Sequence, residues 1–356
     1  MRQKALIAMS GGVDSSVAAY LMKQAGWDCI GATMKLFDGG ILDDGARKSC
    51  CSLNDVNDAR DVAYRLNIPH YVLNLRDDFR SNVIERFIKI YESGGTPNPC
   101  IDCNRFIKFN SLLLRARALE YDRLVTGHYA QIEKSGGRFL LKKSVDEKKD
   151  QSYVLYTMTQ EQLENTEFPL GAKQKNEVRA IAAEQNFINA EKQESQDICF
   201  VPDGDYGAFI ERYTGKIYPE GDIIDSGGNI LGRHKGFIRY TIGQRRGLGV
   251  SSNTILYVSE KSKEANTVTL SPENQLYSKT LIANNINLIA CEKLEKPMRL
   301  RVKSRYLQKE QAARVEQVSD DTIRVEFDEP QRALTTGQAA VLYDGDYVIG
   351  GGTITG

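Results

Sequence analysis

Met9-Ser10-Gly11-Gly12-Val13-Asp14-Ser15-Ser16 follows directly on the apolar run Ala5-Leu6-Ile7-Ala8. The run reads as a buried strand, and Ser10, Gly11 and Gly12 turn the chain sharply out of it. Beyond the turn, apolar or small residues recur at Val17, Ala18, Leu21, Met22 and Ala25, the spacing of a helix face. A glycine-rich turn that opens a helix aims several N–H groups at one spot, and the helix dipole adds partial positive charge there. Phosphate is the ligand that suits such a spot. The plainer alternative is a tight strand-to-helix turn with Ser10 as an ordinary cap.

The alternation continues to about residue 127. Cys29–Met34, Tyr71–Leu75 and Leu124-Val125 read as further strands. Val56, Ala59, Ala63 and Leu66 mark one helix face, Phe79, Val83, Phe87 and Tyr91 a second, and Phe106, Phe109, Leu112, Leu113 and Ala116 a third. This order predicts an α/β fold with a doubly wound parallel sheet. Ligands of such sheets sit at the carboxyl ends of the strands, where the loop, Met34 and Gly127-His128 fall. Ser135-Gly136-Gly137 predicts a hairpin. Helical patterns follow over 151–164 and 176–186. From about 205 glycine becomes frequent and strands shorten. From about 282 the runs Arg299–Val302, Ala312–Val318, Thr322–Phe327 and Ala339–Leu342 predict an antiparallel barrel or sandwich. The expected domains are 1–204, with a helical insertion at about 143–190, then a small central domain over 205–281, then 282–356.

The chain has 356 residues, 41% of them hydrophobic, enough for two or three domains with real cores. It carries no apolar run of about 18 residues, so no membrane helix is expected. Its N-terminus has no signal-peptide pattern, so the expected location is the cytoplasm, with thiols reduced. Seven cysteines at uneven spacings argue against a secreted disulfide framework. Net charge is zero. Local runs (Lys142-Lys143, Lys148-Lys149, Arg245-Arg246, and Lys303, Arg305, Lys309 and Arg314) leave nucleic-acid binding open, since phosphate contacts need such side chains.

Thr96-Pro97-Asn98-Pro99-Cys100-Ile101-Asp102-Cys103-Asn104 is the second unusual string. Two prolines hold an extended loop. A Cys-x-x-Cys pair follows at a helix start, with Asn104 as its expected cap. Thiols at a helix N-terminus ionise more readily, and a thiolate attacks carbon, attacks sulfur or binds metal. Two buried small hydrophobes are the plain alternative. Cys199, between Ile198 and Phe200, reads in isolation as buried and inert, and Cys29 and Cys291 as core. Cys50-Cys51 could join Cys100 and Cys103 in a metal site, though adjacent cysteines suit zinc poorly.

The opening loop lacks both common nucleotide-loop patterns. It resembles the loop of the ATP pyrophosphatase (PP-loop) enzymes, which split ATP between its α- and β-phosphates. That likeness puts Asp14 near a magnesium ion and has Ser10, Ser15 and Ser16 donating to phosphate oxygens. Taken with Thr96–Pro99, Cys103-Asn104, Thr126–Ala130, Lys149–Ser152, Ile198–Phe200, Thr241–Leu248, Arg305-Tyr306 and Gly337-Gln338, the chain resembles the bacterial tRNA-specific 2-thiouridylase family nearly end to end.

The resemblance implies a PP-loop domain, a small central domain and a C-terminal antiparallel β-barrel. It implies ATP with Mg²⁺, a tRNA substrate, a sulfur donor (a cysteine desulfurase or relay protein), and no membrane. ATP would meet Ala8, Met9, Ser10, Gly11, Gly12, Val13, Asp14, Ser15, Met34 and Gly127. Cys103 matches the nucleophile and Cys199 the persulfide carrier. Asn98, Pro99 and Cys100 match the loop that meets the target base. His128, Lys149, Asp150, Gln151, Arg305, Tyr306 and Gln338 match tRNA contacts, and Arg305→Ala is then expected to weaken tRNA binding and lower its salt dependence.

Many members of the family carry Asp where this chain has Cys100; here Asp102 stands two residues later. Cys100, Cys103 and Cys199 could instead be three ligands of a [4Fe–4S] cluster with one open iron. Two further readings compete: another PP-loop enzyme that adds an amine, and a zinc-stabilised tRNA-binding protein without chemistry.

Overall fold

The computed structural model describes residues 2–37, 53–193 and 198–356. Cys50, Cys51 and the segment 194–197 lie outside the described residues. The chain forms two compact units: Met1–Ile84 with Pro99–Gly204 and Gly345–Ile349, and Glu85–Asn98 with Asp205–Asp344 and Gly350–Gly356.

In the first unit, β1 (Lys4–Ala8), β2 (Asp28–Lys35), β3 (His70–Asn74) and β4 (Arg123–Val125) are followed by the hairpin β5 (Ala130–Ser135) and β6 (Arg138–Lys143), then by the short β7 (Thr166–Glu167). Five of these form one sheet in the order β3-β2-β1-β4-β7, parallel at every pairing. The central strand β1 reads Ala-Leu-Ile-Ala from Ala5 to Ala8 because both of its faces are covered, the pattern of a parallel sheet. Ile7 lies across from Gly31 on one side and Val125 on the other.

Helix α1 (Val13–Gln24) packs Val17, Ala18 and Ala19 into a core shared with Ala59, Val62 and Ala63 of the helix Leu53–Arg65 and with Val178 and Ala182 of the helix Lys175–Glu184. Each large aliphatic side chain buried there stabilises by about 1.5–3 kcal/mol. Gly136 and Gly137, at φ +56° and +81°, make the two-residue hairpin turn that the sequence signalled.

The helical pattern over 151–164 resolves into two single turns, Ser152–Leu155 and Gln160–Glu164. Thr159 starts the second with a reciprocal cap: its Oγ1 accepts from Gln162 N at 3.2 Å, and its own N–H donates to Gln162 Oε1 at 3.0 Å.

The second unit opens with the helix Glu85–Glu92, whose Phe87 and Tyr91 meet Tyr206 and Phe209 of the helix Tyr206–Thr214 at ring distances of 6.0–6.2 Å. Strands β8 (Gly221–Asp225), β9 (Ile230–His234), β10 (Tyr257–Ser262) and β11 (Thr267–Ser271) form a sheet in the order β10-β11-β8-β9. Strands β12 (Tyr277–Leu288), β13 (Met298–Lys303), β14 (Gln311–Ser319), β15 (Thr322–Arg332), β16 (Ala339–Asp344) and β17 (Tyr347–Ile354) follow. They form a barrel in the order β12-β15-β14-β13-β16-β17, and β12 closes it by pairing Ala283 with Ile354 and Leu288 with Gly350. Closure selects the barrel over the sandwich and removes the free edges. Along β15, Ile323, Val325 and Phe327 face inward between exposed Arg324, Glu326 and Asp328. Among the described residues no helix is long and apolar enough to cross a membrane.

Candidate functional site

The chain leaves β1 at Ala8 and reaches α1 through four residues. Gly11 sits at φ +76°, and a Cβ there would run into the backbone of Asp55, so glycine is required twice over. The Gly11 carbonyl is drawn away from the turn by two donors, Asn189 Nδ2 at 3.0 Å and Lys192 Nζ at 3.1 Å. In a trans peptide the following N–H points opposite to that carbonyl, so the Gly12 N–H is aimed the other way. Lys192 is itself anchored on Asp55 (2.6 Å) and Asp58 (2.5 Å), and these partners hold its pKa up against the opposing effect of burial. Gly12 is the N-cap of α1 and has no side chain to satisfy the first N–H groups of the helix, which stay available to a ligand.

The loop forms one wall of a cleft lined also by Thr33, Met34, Lys108, Thr126, Gly127, His128 and Gln151. The cleft encloses about 710 Å³, including the part open to solvent. Its floor is crowded: a Cβ on Gly127 would lie 2.8 Å from both Asp14 C and Ser15 N. His128 is buried with its Nδ1 2.7 Å from Thr126 Oγ1 and its Nε2 3.3 Å from Lys108 Nζ. Burial first, and the Lys108 charge second, push its pKa well below the usual histidine value. The ring is neutral at pH 7, so Nε2 accepts from the ammonium and Nδ1 donates to the threonine.

One expectation changes here. Ser16 does not face a phosphate. It is fully buried; its Oγ donates to Gly12 O at 3.1 Å and receives Asn189 Nδ2 at 2.9 Å, so its hydroxyl braces the turn from behind. Asp14 does reach the cleft, as the only carboxylate lining it among the described residues. There it already holds Lys175 Nζ at 2.7 and 2.9 Å and the Tyr129 hydroxyl at 2.8 Å.

Ala8, Met9, Ser10, Asp14, Ser15, Met34 and Gly127 are all brought to this cleft, with Gly11 and Gly12 forming the turn above it and Val13 buried as the first residue of α1. The shape, the donors and the glycine-only approaches fit a nucleotide phosphate chain.

Pro99 starts the helical turn Pro99–Asp102, and Cys103–Leu112 continues it as a π-helix. Cys100 is exposed, and Cys103 and Cys199 are half-buried. Asn104 is not a cap. It lies inside the π-helix, 2% exposed, and its Nδ2 donates to Val154 O at 3.0 Å. Cys291 is half-buried rather than core, while Cys29 is buried, and burial pushes its thiol pKa up to about 11. Among the described residues no three His, Cys, Asp or Glu side chains are placed to hold one metal ion.

The expected tRNA contacts divide. Gln151 lines the cleft and is tied to Tyr129 through both its side chain and its backbone. Asp150 caps locally, accepting from Ser144 N, Ser152 N and Ser152 Oγ. Lys149 is half-buried beside it.

In the second unit, Gln338 Nε2 donates to Thr96 O (2.9 Å) and Pro97 O (3.2 Å), fixing the segment that ends in Asn98. Arg305 Nη2 meets Ile242 O, Ala333 O and Thr335 Oγ1 at 2.8–3.3 Å. These contacts make Arg305 a clamp between loops of the second unit. Tyr306 is half-buried with Lys303 Nζ 6.0 Å from its ring centre.

Sequence reading missed Lys108, Tyr129, Lys175, Asn189 and Lys192. Lys108 alone left a trace: five residues after Cys103, it lies one π-helical turn along the same side.

A profile described as "tRNA methyl transferase HUP domain" matches residues 3–203, one described as "tRNA methyl transferase PRC-barrel domain" residues 207–272, and one described as "Aminomethyltransferase beta-barrel domain" residues 278–354. The chain is 50% identical over 357 residues to the tRNA-specific 2-thiouridylase MnmA of Clostridioides difficile (strain 630), covering 99% of this chain and 98% of that one. It belongs to the tRNA-specific 2-thiouridylase family. Its likeness to the family's protein from Acetivibrio thermocellus is 49% over 365 residues, covering 99% of each chain, and to that from Lachnoclostridium phytofermentans 48% over 356 residues, again 99% of each.

Proposed function

We propose that this protein is a tRNA-uridine 2-sulfurtransferase. It uses ATP to replace the C2 oxygen of the wobble uridine of tRNA by sulfur. The observation that carries the reading is the pairing of a phosphate-binding turn with a thiol: Lys108 lines the same cleft as the Ser10–Ser15 turn and stands one π-turn from Cys103. The profiles' descriptions speak of methyl transfer, and the relatives' names of thiolation. A phosphate turn with glycine-only floors favours thiolation, because methyl transfer releases no pyrophosphate.

The C2 oxygen of uracil is a poor leaving group. Its attack on the α-phosphorus of ATP forms an O–P bond and releases pyrophosphate, leaving an AMP ester. The Gly12 N–H and the open end of α1 stabilise negative charge on the phosphates. Asp14 is the carboxylate that would hold Mg²⁺, whose chemistry is to draw charge from the pyrophosphate.

The terminal sulfur of a Cys199 persulfide then attacks C2 and expels AMP, giving a uridine–S–S–Cys199 adduct. The Cys103 thiolate attacks the Cys199 sulfur, forms a Cys103–Cys199 disulfide and releases 2-thiouridine. A cytosolic dithiol restores both thiols by taking up the two oxidising equivalents, and a sulfur-donor protein reloads Cys199. The target base leaves the anticodon stack, at a cost of a few kcal/mol, and meets Asn98, Pro99 and Cys100. The segment 143–190 and the loop at Arg305-Tyr306 meet the rest of the tRNA.

Cys103→Ser and Cys199→Ser should each abolish wobble thiolation in the presence of a persulfide donor, with ATP affinity retained. Product formation by the double variant would favour an amine-adding PP-loop enzyme.

A further inference from the structure

We infer that the loop from Gln244 to Leu256 is a second binding site for tRNA, one that grips backbone phosphates through Arg245, Arg246 and open main-chain amides. The inference rests on tRNA being the substrate, as proposed above.

Five arginines of the second unit are paired with carboxylates. Arg233 meets Asp222 at 3.1 Å, Arg239 meets Glu211 at 2.6 Å, Arg299 meets Asp328 at 2.5 Å, and Arg332 meets Glu273 at 3.0 Å. Arg301 reaches Glu310 at 3.6 Å. On the barrel, Arg314 and Arg324 stand across from Glu326 and Glu316 in the strand register. Arg305 is satisfied by three uncharged acceptors. Arg245 and Arg246 differ from all of these. Both are exposed, and among the described residues neither side chain meets a carboxylate or a hydrogen-bond acceptor.

The backbone around them adds donors. The base of the loop is fixed, with Gly243 N bonded to Val258 O at 2.7 Å and Val258 N to Gln244 O at 3.0 Å. Gln244 also spans the turn, accepting from Thr241 N and donating to Arg246 O at 2.9 Å each. Beyond that base, from Arg245 to Asn253, no main-chain N–H finds an acceptor among the described residues. Gly247 and Gly249 take φ of +72° and +73°, which other residues rarely adopt.

An open concavity results; among the described residues Arg245, Gly247, Gly249, Ser252 and Thr254 line it beside apolar Leu248, Val250, Ile255 and Leu256, with no acid. Planar guanidinium forks, spare amides and the lack of carboxylate repulsion suit a polyanion backbone. Glycine lets that backbone approach closely. Nucleotide phosphate already has its own site in the first unit, so the polyanion assigned here is tRNA.

The test uses the full-length protein and its unmodified tRNA, with affinity measured between about 50 and 200 mM salt. For R245A/R246A, the slope of log Kd against log salt should fall by about 1.4–1.8, the release expected for two phosphate contacts. Melting temperature and ATP affinity should not move, because neither side chain has an intramolecular partner. R245K/R246K should keep most of the slope, and single R246A should lose about half of the difference. A wild-type slope in R245A/R246A overturns this inference and leaves the thiolation reading standing. A wild-type protein that binds no tRNA overturns both.

Discussion

Lys175 holds both carboxylate oxygens of Asp14, at 2.7 and 2.9 Å, from 161 residues further along the chain. The pair is mostly enclosed, with side-chain exposures of 11% and 29%, and the Tyr129 ring lies 5.7 Å from the ammonium. The lysine fixes the first turn of α1 and supplies positive charge beside the phosphate turn. Lys175→Met leaves Asp14 without its cation and should cost about 2–4 kcal/mol of stability, read by denaturant melts. ATP affinity should fall about tenfold, the equivalent of roughly 1.4 kcal/mol. Lys175→Arg should recover part of both.

His128 gives a pH signature. Its folded pKa is depressed, so the unfolded chain takes up a proton first as pH falls. Stability is therefore fully present above the unfolded value of about 6.5 and is lost as pH drops through the lower folded value. His70 and His234 shift in the same direction, also through burial first. Between pH 7.5 and 5 the wild type should lose more stability than His128→Gln, as thermal melts will show. Equal losses would mean that His128 is not held neutral.

Gly127 tests the floor of the cleft. An alanine Cβ at 2.8 Å from Asp14 C and Ser15 N must push the β4 end away from the phosphate turn, at a cost of about 1–3 kcal/mol. Gly127→Ala should stay folded, as shown by circular dichroism, and lose about tenfold in ATP affinity by calorimetry.

Arg305 and Gln338 separate clamp from contact. Arg305→Ala removes the donor of three acceptors and should lower stability by about 2–3 kcal/mol, and, as its loop is proposed to meet tRNA, it should also weaken tRNA binding and lower its salt slope. Gln338→Ala frees the carbonyls of Thr96 and Pro97. It should reduce kcat/KM for tRNA about tenfold and leave ATP affinity intact, as steady-state thiolation and ATP titration will tell.

The parts legible in the sequence are those whose causes are local. Gly11, Gly12 and the apolar run before them announced the turn, because backbone conformation and strand burial leave marks within ten residues. Gly136-Gly137 announced the hairpin for the same reason. The bracing of the turn was not legible. Asn189 and Lys192 reach Gly11 across 178 and 181 residues, and nothing local distinguishes them from other polar residues of a turn. Asn104 was misread because an asparagine near a helix start looks like a cap; the preceding turn Pro99–Asp102 moves it inside. The acceptors of Arg305 at Ile242, Ala333 and Thr335 were not legible either, lying 28 to 63 residues away in the chain.

Mass analysis of the wobble nucleoside reads ATP-dependent thiolation through Cys103 and Cys199 at its product. Anaerobically prepared, iron-free protein is supplied with unmodified tRNA, ATP and a persulfide donor, and the nucleosides are then digested and weighed. The expected result is oxygen-to-sulfur exchange at the wobble uridine that requires ATP, Cys103 and Cys199. No exchange in iron-free protein, with exchange restored by stoichiometric iron, would contradict it.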